Sequence, residues 1–210
     1  MSRKGARRYL MKDSIDFYDK IYTPLFKRNY TRSGDRSKIA LRAFRRYCDH
    51  NSVSINSVID VGCAWCKALK YWRRKGADKI VGVDVCKMIV RYCRKKGFKC
   101  VHTSATDLSM LEDKSFDLYM ATDVYEHLRT EDLDDAINEA KRLSKKYILI
   151  RPHCSMDRRG RKNPKKALHL TVWKKHKWID FFLSHNLKLL PIGDKGELHY
   201  KNVFLMEAEQ

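Results

Sequence analysis

Ser57-Val58-Ile59-Asp60-Val61-Gly62-Cys63-Ala64-Trp65-Cys66 passes from a β-branched run into a turn built on an acid and a glycine. Behind it, Leu69, Tyr71 and Trp72 alternate with Lys67, Lys70, Arg73 and Arg74 in an amphipathic helical pattern. The combination predicts a buried parallel strand, a tight turn and a helix. A glycine there lets backbone approach a ligand closely, and the helix N-terminus offers unpaired N–H groups. Any strand–turn–helix unit shares that much. More specific is a second strand about 20 residues on, Ile80-Val81-Gly82-Val83-Asp84, whose terminal acid stands where a carboxylate can grip a ribose diol.

Val58–Gly62 followed by Val81–Asp84 resembles the cofactor-binding half of the class I S-adenosylmethionine-dependent methyltransferases, and the resemblance runs from about Val58 to the C-terminus. The family's turn usually reads acid-x-Gly-x-Gly-x-Gly. This chain keeps Gly62 and has Ala64 and Cys66 where the other two glycines stand. A dinucleotide fold is the competing reading, but its fingerprint needs more glycine than this turn contains. The resemblance implies S-adenosylmethionine as cofactor, bound by Asp60, Gly62, Cys63, Ala64, Asp84 and Val85. It adds an adenine-binding turn at Thr106 and Asp107, and Asp123 at the tip of the fourth strand.

With 210 residues, 43% hydrophobic and 33% charged, the chain is long enough to bury a core. No apolar run approaches a membrane span, and Met1–Gly5 lacks the apolar segment of a secretory signal. Seven cysteines, an odd number, predict reduced thiols and a reducing, cytoplasmic setting. Cys63-x-x-Cys66 fits half a zinc site or a redox pair, but no second such pair exists, and packing thiols are the simpler expectation. The net charge is +20, although Val101–Ala140 holds eleven acids against two bases. A basic surface attracts polyanions through their phosphates, but no nucleic-acid module is recognisable. The oligomeric state is not legible.

Along the chain, helices are expected at Ser14–Tyr22, Ser37–His50, Met88–Lys96 (closed by Gly97), Thr130–Leu143 and Thr171–His185. Further strands are expected at Phe98–His102, Ser115–Asp123 and Lys146–Arg151, with a terminal hairpin of Leu187–Leu190 and Asn202–Met206. Cys154–Lys166 reads as a basic loop that either meets acceptor phosphate or is simply solvated. The fold expected is α/β: a doubly wound, mostly parallel seven-stranded Rossmann-like sheet ending in an antiparallel hairpin. With no linker visible, residues 1–210 form one methyltransferase domain, and 1–50 form a helical lid or a plain packing extension.

Asp123-Val124-Tyr125-Glu126-His127 follows the fourth strand. A helical turn there puts Asp123, Glu126 and His127 on one face, where two carboxylates and an imidazole can hold a divalent cation such as Mg2+ or Mn2+. His169 is the candidate fourth ligand and His153 the reserve. The group resembles a metal-dependent branch that includes small-RNA 3′-terminal 2′-O-methyltransferases and ubiquinone-pathway O-methyltransferases. There the first acid is usually glutamate, and Asp123 is shorter. Asp123, Glu126 and His127 are the expected catalytic residues; without a metal, His127 is the candidate general base. The expected reaction is O-methylation of a vicinal sugar hydroxyl on a glycan. An RNA 3′-terminal ribose and a catalytically silent basic binding module are the alternatives.

Overall fold

In the computed structural model, which describes residues 3–30, 36–163, 167–193 and 196–208, helices and strands alternate through the middle of the chain. In order these are α1 (Arg3–Lys27), α2 (Ser37–Asn51), β1 (Ser57–Val61), α3 (Lys67–Arg74), β2 (Lys79–Asp84), α4 (Lys87–Lys95), β3 (Lys99–His102) and β4 (Phe116–Thr122). They continue with α5 (Leu133–Leu143), β5 (Ser144–Arg151), α6 (Arg158–Lys162), α7 (Lys175–Ser184), β6 (Lys188–Leu190) and β7 (Phe204–Glu207). One sheet has the order β3-β2-β1-β4-β5-β7-β6; β1 to β5 run parallel and β7 is antiparallel to both its neighbours. This is the doubly wound sheet the sequence predicts.

Pleating sends alternate residues of β1 to opposite cores. Val58 packs with Phe44 of α2 and Ala68 and Trp72 of α3, whereas Ile59 and Val61 face Ile137 of α5 and Trp178 and Phe182 of α7. Each of these buried large side chains contributes about 1.5–3 kcal/mol relative to exposure. A third cluster joins Tyr18, Tyr22, Leu25 and Phe26 of α1 to Ile89, Val90 and Cys93 of α4. Asp19 fixes that docking: its carboxylate accepts the Lys87 amide at 3.0 Å, at the N-terminus of α4 where a negative charge is favoured.

Register sets the height of the site. Val61 pairs with Val83 and with Ala121, so the turns after β1, β2 and β4 leave one edge of the sheet together. The chain order reverses between β1 and β4, the switch point where open α/β sheets leave a crevice.

Four expectations need correction. The first helix runs from Arg3 to Lys27, not from Ser14 to Tyr22. The last begins at Lys175, not Thr171, because the Thr171 amide and hydroxyl bond the Glu126 and Leu128 carbonyls instead. The basic loop after Cys154 contains the short helix α6, capped by Asp157, while its Lys165 and Lys166 lie outside the described residues, as do Met1, Ser2 and 31–35 of the expected lid. The thiols are not all reduced: Cys66 and Cys93 form a disulfide, with Cα atoms 6.0 Å apart. The sequence offers no hint of that pairing, since the partners lie 27 residues apart and meet only when α4 packs on the turn after β1.

No helix among the described residues is long and apolar enough to cross a membrane.

Candidate active site

The crevice at the switch point opens into a cavity of about 430 Å3. Gly62, Ala64, Asp84 and Val85 line one side, Asp123, Glu126 and His127 the other. Gly62 has φ 73° and donates its amide to the Val83 carbonyl at 2.8 Å. A Cβ there would collide with Val124 Cγ2 as well as strain the backbone. Ala64 and Cys66 keep left-handed backbone too, φ 42° and 57°, although they carry side chains. The turn has thus kept the glycine-type path without the glycines.

Asp84 is buried at the tip of β2. Its carboxylate accepts the Ala64 amide at 3.1 Å and the Cys86 amide at 2.9 Å, tying the turn after β1 to the turn after β2. Burial pushes its pKa up to about 6 despite those two amides. Helix α1 closes the cavity from above with Tyr18, Tyr22 and Phe26, and Tyr30 follows it. The Tyr18 hydroxyl donates to the His127 carbonyl at 3.1 Å, and the Tyr22 hydroxyl lies 2.9 Å from His127 Nδ1.

A 3-10 turn, Tyr125–His127, carries the carboxylate–imidazole pair. Glu126 is fully buried, and neither carboxylate oxygen has a hydrogen-bond partner among the described residues. Burial, then the Asp123 charge, raises its pKa well above the usual carboxylate range; its own and the His153 amides, close enough to offset part of that rise, do not reach hydrogen-bond geometry. A Glu126 oxygen and one ring nitrogen each of His127 and His169 lie within 4.8 Å of one another. The His169 segment is held there by backbone: Leu170 and Thr171 donate to the Glu126 carbonyl at 2.8 and 3.0 Å.

Since a carbonyl only accepts, the imidazole tautomers follow from their partners. His127 Nδ1–H donates to Leu168 at 2.8 Å, and His169 and His153 donate through Nδ1 to Ser155 at 2.7 and 3.0 Å. His127 and His169, held neutral by burial, therefore keep Nε2 unprotonated, as a metal-binding histidine does. Burial lowers the pKa of His127 to about 4, against the Leu168 bond, and lowers that of His169. Asp157 anchors the other end: Oδ2 accepts the Leu168 and His169 amides at 2.7 and 3.0 Å, and Oδ1 those of Arg159 and Gly160 at 2.7 and 3.0 Å.

Residues 59–147 match a family described as a methyltransferase domain. Over those residues the chain carries a methyltransferase domain, and its sheet is that of the class I S-adenosylmethionine-dependent methyltransferases. Among solved structures it is 25% identical to a SAM-dependent methyltransferase from Archaeoglobus fulgidus, covering 80% of this chain and 75% of that one with a TM-score of 0.58. Magnesium protoporphyrin IX methyltransferase from Synechocystis PCC 6803, solved with bound SAH, aligns over 94% of this chain and 99% of its own at TM-score 0.67; at 14% identity that shows a shared fold. The YcgJ protein from Bacillus subtilis is 20% identical, TM-score 0.51, over 63% of this chain. The chain spans 63% and 62% of the Bacillus halodurans and Bacillus subtilis proteins that it matches. No curated protein gives a significant match.

Within this fold, several residues expected at the site stand elsewhere. Asp60 and Cys63 are buried off the cavity lining, and Cys63 turns toward other sulfurs. Thr103, Ser104 and Ala105 form the wall expected of Thr106 and Asp107. Thr106 instead bonds Ser104, and Asp107 accepts the Ser109 amide and hydroxyl, which is turn-forming work. Asp123 lines the cavity but stands outside the Glu126–His127–His169 group, its carboxylate ion-paired with buried Arg151. The α1 aromatics were expected only as part of a lid or packing extension, not as site residues, and the Asp157 anchor was not foreseen.

Proposed function

We propose that this methyltransferase transfers the methyl group of S-adenosylmethionine to one hydroxyl of a vicinal sugar pair, with a divalent cation held by Glu126, His127 and His169. The observation that carries the reading is Glu126: a buried carboxylate with no hydrogen-bond partner among the described residues, set beside two imidazoles whose Nε2 atoms are unprotonated. An orphaned buried acid costs several kcal/mol unless it pairs or binds an ion. His153, beside His169 with ring centroids 4.9 Å apart, is the fourth donor in place of the expected Asp123. This imidazole-rich set suits Mn2+ better than Mg2+.

A cation bound there lowers the pKa of a coordinated hydroxyl and fixes its orientation. Asp84 accepts the cofactor ribose hydroxyls, and Gly62 and Ala64 let its nucleoside approach the backbone. Helix α1 acts as the lid, its aromatic side chains excluding water from the transfer path. His127, with a pKa of about 4, is a poor match for a general base and a good one for a neutral ligand. The aromatic wall suits the apolar face of a saccharide ring.

One observation favours RNA as a second reading. Beyond Arg36 at the cavity rim, Lys38, Arg42, Arg45 and Arg46 of α2, with Tyr71 and Tyr200, line a basic groove of about 520 Å3. Labelled S-adenosylmethionine incubated with separate oligosaccharide and RNA pools, with Mn2+ or with chelator, tests both. Label in the oligosaccharide pool only with Mn2+ supports the first reading, and label in RNA the second. Label in either pool unchanged by chelator refutes the metal, and no label with a cofactor-binding chain refutes the activity.

A further inference from the structure

Four of the chain's seven cysteines meet beneath the cofactor turn, outside the cavity. Cys63 and Cys66 come from the turn, Cys93 from α4 and Cys100 from β3, and all four are buried. Cys63 Sγ lies 3.8 Å from Cys93 Sγ and 3.7 Å from Cys100 Sγ, and Cys66 is bonded to Cys93. A tetrahedral site with Zn–S bonds of about 2.3 Å has sulfur–sulfur edges of about 3.8 Å. Gly82 makes room for one of the four: a Cβ there would stand 2.9 Å from Cys63 Sγ.

We infer that Cys63, Cys66, Cys93 and Cys100 form a buried four-thiolate Zn2+ site, of which the Cys66–Cys93 disulfide is the metal-free oxidised form. Loading begins when a dithiol reductant takes up the disulfide bond, becoming a disulfide itself and leaving Cys66 and Cys93 as thiols. Zn2+ then replaces four thiol protons, which leave to solvent, and the site carries a net charge of −2. Charge is mixed around it: α3 and α4, which flank it, carry eight Lys and Arg residues and no acid, while Asp60 and Asp84 are buried on the side of the strand tips. Cys93 Sγ also lies 3.4 Å from the Ala64 carbonyl oxygen, so the sulfur cluster braces the two residues of this turn that hold left-handed backbone without being glycine.

The test is a Co2+ titration of the full chain, reduced until all seven thiols react with a thiol reagent. An ultraviolet thiolate-to-Co2+ charge-transfer band is expected, saturating at one ion per chain and displaced by Zn2+. It is lost in Cys63→Ser and Cys100→Ser and kept in Cys48→Ser and His169→Ala. The last variant separates this site from the Glu126 group, so failure of either leaves the other standing. Circular dichroism identifies any variant that does not fold, and Cys100→Ser, away from the turn, is the safer of the two. Absence of the band in the reduced folded chain, or its survival in Cys100→Ser, overturns the inference. So does iron rather than zinc in protein purified without chelator.

Discussion

Replacing Asp157 by asparagine changes one charge and no shape. The carboxylate accepts four backbone amides, two per oxygen, whereas an amide side chain keeps only one acceptor oxygen. Asp157→Asn therefore loses either the α6 cap or the grip on Leu168 and His169. Although partial burial alone would raise its pKa, the amides of His169, Gly160, Leu168 and Arg159 hold it at about 2, down from 3.8. Nearly two pH units at 1.36 kcal/mol each give about 2.5 kcal/mol, and solvent screening of this partly exposed group reduces that to about 1–2 kcal/mol. Because the folded pKa is the depressed one, the contribution is fully present above the unfolded value near 4. It is lost as the pH falls through about 2. Urea unfolding of wild type and Asp157→Asn should show a gap of about 1–2 kcal/mol at pH 7, shrinking steadily between pH 4 and 2. A gap that is absent at pH 7, or that keeps its size at pH 2, would refute the reasoning.

Gly62→Ala adds left-handed strain to a collision with Val124 and should cost about 2–5 kcal/mol in urea unfolding. Because Asp84 has a pKa of about 6 and accepts best when ionised, affinity for S-adenosylmethionine by calorimetry should fall about tenfold from pH 7 to pH 5. His169→Ala should lower kcat with Mn2+ by at least about tenfold, with cofactor affinity within about twofold of wild type.

The sheet was legible because it rests on local signals: β-branched runs, the spacing of Asp60/Gly62 from Asp84, and the helical pattern that follows β1, β2 and β4. The carboxylate–imidazole group was legible in part for the same reason, since Glu126 and His127 are neighbours and His169 precedes a helix. What escaped depends on contacts that sequence spacing does not encode. Asp123 meets Arg151 only through the β4–β5 register, which sets Thr122 beside Arg151. The cavity wall falls at Thr103–Ala105 rather than Thr106–Asp107 because hydrogen bonds within that turn direct the latter pair away. The sulfur cluster, likewise, exists only once α4 and β3 pack against the turn after β1.

Calorimetric titration of the folded chain with S-adenosylmethionine tests most directly whether the strand tips at Gly62 and Asp84 form a cofactor site. One molecule bound per chain, with affinity lost in Asp84→Ala, is the predicted result. No binding by the folded wild-type chain, or binding indifferent to Asp84→Ala, would contradict it.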